Sequence, residues 1–274
     1  MNFITEPEVE LIAKPILEID GIRRFLKEHE YVWPELTKEL ESMVSLGDND
    51  CEWLVEFAGR MCYQSWPKEG ETMKGRSHED HIRHLIEVGH GACIEHANFT
   101  FSIWNVSRSL THELVRHRIA SYSQLSQRYV NSSKVAVVVP PAIQELAQID
   151  KEFYEIWKEH CEACVTLYDV LTDRLSAMYS DIPSKLERRK KARQAARSVL
   201  PNATETKIVV TMNARAIRHL IELRANPAAD VEIRALAVKI CRILQKKAPL
   251  FAHGFKIVDL SDNTQGVESK FKRV

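Results

Sequence analysis

The sequence predicts an α+β protein, with a few strands set among long helices. Three observations carry this. Amphipathic stretches with helical spacing and capping residues take up most of the 274 residues. Strand-like apolar runs are short and irregularly placed, so no regular βαβ alternation develops. No Gly-x-Gly-x-x-Gly turn is present, which argues against a doubly wound nucleotide fold. A hydrophobic content of 45% suffices for a proper core, in one large domain or two small ones.

Along the chain, residues 1–50 read as a charged, helix-rich N-terminal extension broken at Pro15, Gly21 and Pro34, with a short capped helix in DGIRRFLKEH. Residues 51–65 look amphipathic, and PKEGETMKG (67–75) has the composition of a mobile surface loop. Ser77 with Asp80 approximates a capping box and opens a helix with Ile82, Leu85 and Ile86 on its apolar face, ending near Gly89. Phe99, Phe101 and Ile103 alternate with Thr100 and Ser102, which predicts a strand over 97–105. Ser107 caps the next helix, RSLTHELVRHR, which buries Leu110, Leu114 and Val115. The apolar run 135–141 is stopped by two prolines, and a long helix covers about 143–175. Ser184 and Glu187 form a capping box for a helix that stops before Pro201. KIVVTMN (207–213) reads as a strand, AIRHLIELRA as a helix, and 230–248 as a second helix ended by Pro249. Residues 261–274 are expected to be a tail, frayed at SKFKRV.

Charge and cysteine usage narrow the function. The 38 basic and 38 acidic residues cancel, which argues weakly against a general nucleic-acid binder but leaves room for a local cationic pocket. No run approaches the roughly 18 apolar residues of a membrane span. The start, MNFITEPEVE, lacks the pattern of a signal peptide, so a cytoplasmic protein without membrane contact is expected. Six cysteines in this length make no dense framework. Cys161 and Cys164 form a CxxC within a helix with no second pair, which favours small buried helix residues over redox or metal use; no metal site is expected.

One stretch is chemically unusual. RHRIASYSQLSQRY (116–129) places Arg116, His117 and Arg118 in a row, then a polar run, then Arg128, with no acid to balance them. Successive helical residues point about 100° apart, so the three cations cannot share a face, yet at a helix end they can splay around a cleft. The bland reading is a solvated basic helix end. Against it stand the hydroxyl and amide groups around Arg128, suited to phosphate and base edges, and further arginines beside apolar residues: Arg197, Arg215 and Arg224. Arg193 and Arg197 lie one turn apart among Ala192, Ala195 and Ala196, whereas Arg188–Lys191 reads as a solvated face. His90, between Gly89 and Gly91, is either poised over a ligand or simply hydrogen-bonded structure. This composition supports a site for several anions without naming them.

RHRIASYSQLS also resembles the RHR-x7-S signature of the flavin-dependent thymidylate synthases: Arg116, His117, Arg118 and Ser126 stand at the required spacing, and Gln127-Arg128-Tyr129 continues it. The resemblance extends to GHGACIEHANFTF and to ARSVLPNATETKIVVTMNARAIRHLIELRA, spanning about 52–255. It implies a single catalytic domain over 51–260, a mixed sheet packed with long helices. The implied reaction is reductive methylation of dUMP to dTMP, with 5,10-methylenetetrahydrofolate as carbon donor and FAD, reduced by NADPH, as hydride carrier. It also implies a homotetramer with active sites between subunits.

The residue roles follow from the same resemblance. Arg116, His117 and Arg118 are similar to the segment that holds the FAD phosphates and adenylate. Asn213, Arg215 and His219 fall on the flavin-binding helix, and His90 near flavin and folate. Ser126, Gln127 and Arg128 resemble the groups around the dUMP phosphate and sugar. Gln124 and Glu113 stand at substrate-placing positions, and Arg197 matches an arginine that reaches the nucleotide phosphate from another subunit. Arg224 matches the arginine over the uracil ring, where it stabilises charge developing on the pyrimidine carbonyls. No cysteine lies in the signature, and Ser126 positions substrate rather than attacking it. Two departures stand out. Ala228 replaces a histidine found in some members beside the flavin, with His96 as a possible substitute, and Ala92 replaces a common hydroxyl residue. Ala228 motivates the alternative reading, a paralogue that binds flavin or nucleotide without turnover. A nucleic-acid module built on the 188–197 helix is the reading from a different class, disfavoured by the balanced charge and the lack of interleaved aromatics.

Overall fold

The computed structural model describes residues 1–42, 50–71 and 75–271. Four strands make the central sheet: β2 (Glu8–Ala13), β3 (Asn98–Ser107), β4 (Ser121–Gln124) and β6 (Glu205–Asn213), in the order β2-β3-β6-β4 and antiparallel throughout. Parallel pairing is confined to β1 (Phe3–Ile4) with β5 (Val137–Val138), and β7 (Phe255–Asp259) pairs with β8 (Gln265–Ser269) as an antiparallel hairpin. The helices are α1 (Ile19–Glu28), α2 (Pro34–Ser42), α3 (Asp50–Tyr63), α4 (His78–Glu87), α5 (Gly91–Ile94) and α6 (Arg108–Leu114), then α7 (Pro141–Ile149), α8 (Lys151–Met178), α9 (Lys185–Ala196), α10 (Ala214–Arg224) and α11 (Val231–Lys247). The α+β class read from the sequence is the observed one.

The period-two pattern sets the core. Phe99, Phe101 and Ile103 of β3 and Ile208, Val210 and Met212 of β6 point to one side, and α10 and α11 cover them with Ile217, Leu220, Ile221, Leu236 and Ile240. Burying each of these side chains contributes roughly 1.5–3 kcal/mol. A second cluster, centred on Trp33, Trp53 and Trp66 with Ile22, Leu26 and Leu36, joins α1, α2 and α3.

The three serine caps behave as their sequences predict. Ser77, Ser107 and Ser184 accept from the amides of Asp80, Leu110 and Glu187 at 3.2, 2.9 and 3.3 Å. Several other expectations are corrected. The first fifty residues hold the edge strand β2 as well as helices, because Val9 alternates with exposed neighbours and pairs opposite Ile103. The helix expected over 143–175 is two helices, since Asp150 leaves helical geometry and caps α8 by accepting from Phe153 at 2.9 Å. The helix expected to run through Arg118 ends at Leu114. The C-terminal stretch contains β8, and Phe271 packs on the main core; Lys272–Val274, and Thr72–Lys74 of the expected surface loop, lie outside the described residues. No helix among the described residues is long and apolar enough to cross a membrane.

Candidate active site

The approach to the RHR segment begins at a bulge. β3 and β6 slip register between Ile103 and Val106, with Asn105 at φ 57°, and the slip brings Ser107 inside. There the Ser107 amide and hydroxyl both donate to buried Glu232 of α11, at 2.8 and 2.6 Å, while its oxygen caps α6. Burial pushes the Glu232 carboxyl up, and the hydrogen bonds from Ser107 oppose this. Glu232 thus fixes where α6 starts, and α6 fixes where the cations emerge. At its far end Arg116 and His117 donate their amides to Glu113 O and Leu114 O in tight turns, so the following side chains splay. Tyr122 of β4 locks this turn by donating to Leu114 O at 2.8 Å and His117 O at 2.7 Å. Burial pushes the Tyr122 phenol up to about 12, so it remains a donor.

Those residues open into a cavity of about 440 Å³ lined by Arg116, His117, Arg118, Ile119, Asn213, Arg215, Ala216, His219, Leu223, Arg224 and Glu95. Seven of the residues singled out in the sequence therefore meet here, from two separate stretches of chain. Asn213 caps α10 by accepting from Ala216 at 2.8 Å, so its backbone and side chain are both fixed at the rim. Arg215, one residue into α10, pairs with Glu95 at 2.6 Å and lies across Gly91. A Cβ at Gly91 would stand 2.6 Å from Arg215 Nε, so a larger residue there would displace the Arg215 side chain.

Arg224, at the last position of α10, donates from Nη1 to Glu113 at 2.5 Å and from Nε to His117 Nε2 at 3.0 Å. An arginine cannot accept, so His117 Nε2 must carry its lone pair and the ring is neutral. Its pKa agrees: burial first, then the Arg224 and His219 charges, hold it down to about 4. Arg215 and Arg224 have carboxylate partners; among the described residues Arg116 and Arg118 have none. Two unpaired guanidinium groups beside an apolar wall of Ile119, Ala216 and Leu223 form a donor set suited to a diphosphate joined to a planar, weakly polar group.

Other predicted residues lie elsewhere in the chain. Arg197 and Gln127 line a second cavity of about 450 Å³ with Arg108, His112, Gln194 and Asn202. Burial and then the Arg197 charge lower the Arg108 pKa, the mark of two cations left facing each other. Gln124 spans β4, α6 and β6 by donating to Thr111 at 2.8 Å and Thr206 at 3.4 Å. Ser126 and Arg128 line neither cavity, and Arg128 Nε is buried without a partner. His90 is the exposed N-cap of α5 and is outside the first cavity's lining. Ala228 is exposed, its amide held at 2.9 Å by Asn226 Oδ1. Glu95 and Arg108 were not foreseen. Each lies inside a motif-bearing stretch, but its partner is far along the chain, 120 residues away for Glu95, and leaves no local signal. None of the six cysteines lines the first cavity, and no group of metal-ligating side chains occurs among the described residues.

The fold is α+β, and its cavity gathers Arg116, Arg118, Arg215 and Arg224 beside an apolar wall. The chain belongs to the thymidylate synthase complementing protein family, whose profile matches residues 45–250. Among curated proteins it is similar to the flavin-dependent thymidylate synthase of Mycobacterium avium, 51% identical over 212 residues that cover 77% of this chain and 82% of the relative. The flavin-dependent thymidylate synthases of Mycobacteroides abscessus and Mycobacterium tuberculosis are each 50% identical with the same coverage.

Proposed function

We infer that this protein methylates dUMP to dTMP with a flavin cofactor. Membership in the family at half identity supports the reaction. The observation that carries it to this chain is the convergence of Arg116, His117, Arg118, Asn213, Arg215, His219 and Arg224 on one cavity. In the finer reading the flavin is FAD, NADPH reduces it, and 5,10-methylenetetrahydrofolate donates the carbon, all in the cytoplasm.

A bound flavin supplies a hydride carrier; the chain's residues do the rest. Arg116 and Arg118 neutralise the diphosphate, and Asn213, Arg215 and His219 position the ring system, with Glu95 holding Arg215 in place. Arg224 faces the pyrimidine carbonyls and stabilises the negative charge that grows there as the ring is activated for C5 to bond to the incoming carbon. Glu113 and neutral His117 hold its guanidinium in one orientation, so little reorganisation accompanies reaction. Arg197 and Gln127, with Arg108 beside them, take the nucleotide phosphate. Ser126, Arg128 and Gln124 place the sugar and base, and His90 approaches flavin and folate.

Arg224 and Arg197 line separate cavities within one chain, which fits a homotetramer whose active sites are completed by a second copy. The exposed face of α8 supports this. Phe153 and Ile156 recur two heptads later as Leu167 and Val170, an apolar seam left exposed among the described residues. Ala228 gives no support to a non-turnover paralogue, because the turn holding it leaves the Arg224 contacts intact. Purified protein should be yellow and should release tritium from C5-labelled dUMP when methylenetetrahydrofolate and NADPH are supplied. Colourless protein that stays inactive after added FAD would sink the reading.

A further inference from the structure

Two cysteines stand beside the cavity and take no part in it. Cys62 is exposed in the last turn of α3, and Cys93 is partly buried on α5. The two helices pack against each other, with Cys62 in the last turn of one and Cys93 on the other, close enough for each sulfur to feel the other's charge. Burial, and then the neighbouring Cys62, push the Cys93 thiol up, so Cys93 keeps its proton while Cys62 faces solvent. The other thiols are placed differently. Cys51, Cys161 and Cys241 are buried, which pushes them up to about 12, 11 and 11. Cys164 lies on α8, 3.7 Å from His160 Nε2.

We propose that Cys62 and Cys93 form an oxidation site, a dithiol that hydroperoxides convert to an intrachain disulfide. Exposure makes the Cys62 thiolate the attacking group. Its sulfur bonds to one peroxide oxygen, the O–O bond breaks, and the departing oxygen takes a proton and leaves as water when the oxidant is hydrogen peroxide, giving Cys62 sulfenic acid. The Cys93 sulfur then attacks the Cys62 sulfur. The S–S bond forms, the S–O bond breaks, and hydroxide departs with the Cys93 proton as a second water. Two thiols lose two electrons and one peroxide gains them.

The position gives the bond a consequence. α5 carries Gly91, across which Arg215 lies, and Glu95, the Arg215 partner, follows as its C-cap. A Cys62–Cys93 link ties this wall of the cavity to α3. The site stands on the geometry of α3 and α5 and does not depend on the methylation reaction.

The test uses full-length reduced protein treated with hydrogen peroxide, quenched by alkylation and digested without reductant for mass spectrometry. The expected product is a Cys62–Cys93 cross-linked peptide as the main oxidised species, reversed by dithiothreitol and absent from Cys62→Ser and Cys93→Ser. Amide exchange over residues 91–95 should slow several-fold on oxidation in the unsubstituted protein and stay unchanged in both serine variants. A Cys161–Cys164 link, a Cys62 link between copies, Cys62 sulfinic acid with Cys93 still alkylatable, or no loss of thiols would each overturn the site. A cross-link without slower exchange would overturn its hold on the cavity wall.

Discussion

At Arg224 the site's chemistry rests on one guanidinium held from two sides. Glu113 and His117 fix it, and they come from the last turn of α6 and the turn that follows it, more than a hundred residues earlier. Replacing Arg224 with Ala removes the charge that meets the developing oxyanion. We expect turnover to fall by about 10²–10³ while flavin absorbance of the purified protein is retained; loss of flavin with turnover intact after reconstitution would assign Arg224 to the cofactor instead. His117 carries a second expectation. Its folded pKa of about 4 lies below the 6.5 of the free ring, and the same holds for His81, where burial is again the leading cause. As pH falls through this window the unfolded chain takes up protons that the folded chain refuses, so stability declines between about pH 6.5 and 4 and levels off below. Each ring contributes roughly 2 kcal/mol after allowance for partial solvation. Urea titrations across that range should show the slope, and His117→Asn should reduce it. Arg224, which lines the cavity, was singled out from its place in a family motif. Its partners were not, because a hydrogen bond across the fold leaves no mark in local spacing.

Elements explain how the signature is presented. The alternation in β3 was readable, and so were the serine caps, since each depends on neighbours within a few residues. The bulge at Ile103–Val106 was not, yet it sends Ser107 inward to Glu232. Nor was β4 readable: its SYSQ pattern has no apolar face, and it is a strand because β6 offers an edge and Tyr122 anchors it to α6. Ser107→Ala should lose the cap and leave Glu232 short of a donor. We expect destabilisation of about 2–3 kcal/mol in urea unfolding, against about 1 kcal/mol for an ordinary cap. The C-terminal hairpin is similar. Buried Arg218 of α10 donates to Phe251 O and His253 O at 2.7 and 3.0 Å, and Val267 donates to Ala225 O at 2.9 Å. These contacts brace the helix end that carries Arg224. A sequence of mixed small and charged residues read as a frayed tail because its partners are an arginine and a carbonyl far away.

For the whole molecule, the candidate site arginines of one chain divide between separate cavities. Arg116, Arg118, Arg215 and Arg224 share the first, and Arg108 and Arg197 the second. In the proposed assembly a second copy brings these groups to the same ligands, and the α8 seam holds the copies together. Light scattering should therefore give a mass of four chains for the unsubstituted protein, and Leu167→Glu should lower it with loss of turnover; a monomer with full activity would refute shared sites. The most direct test of the central claim is tritium release from C5-labelled dUMP. The account predicts release that requires methylenetetrahydrofolate, NADPH and bound flavin together and that nearly vanishes in Arg224→Ala. Release that persists without flavin, or none from fully flavin-loaded protein, would contradict it.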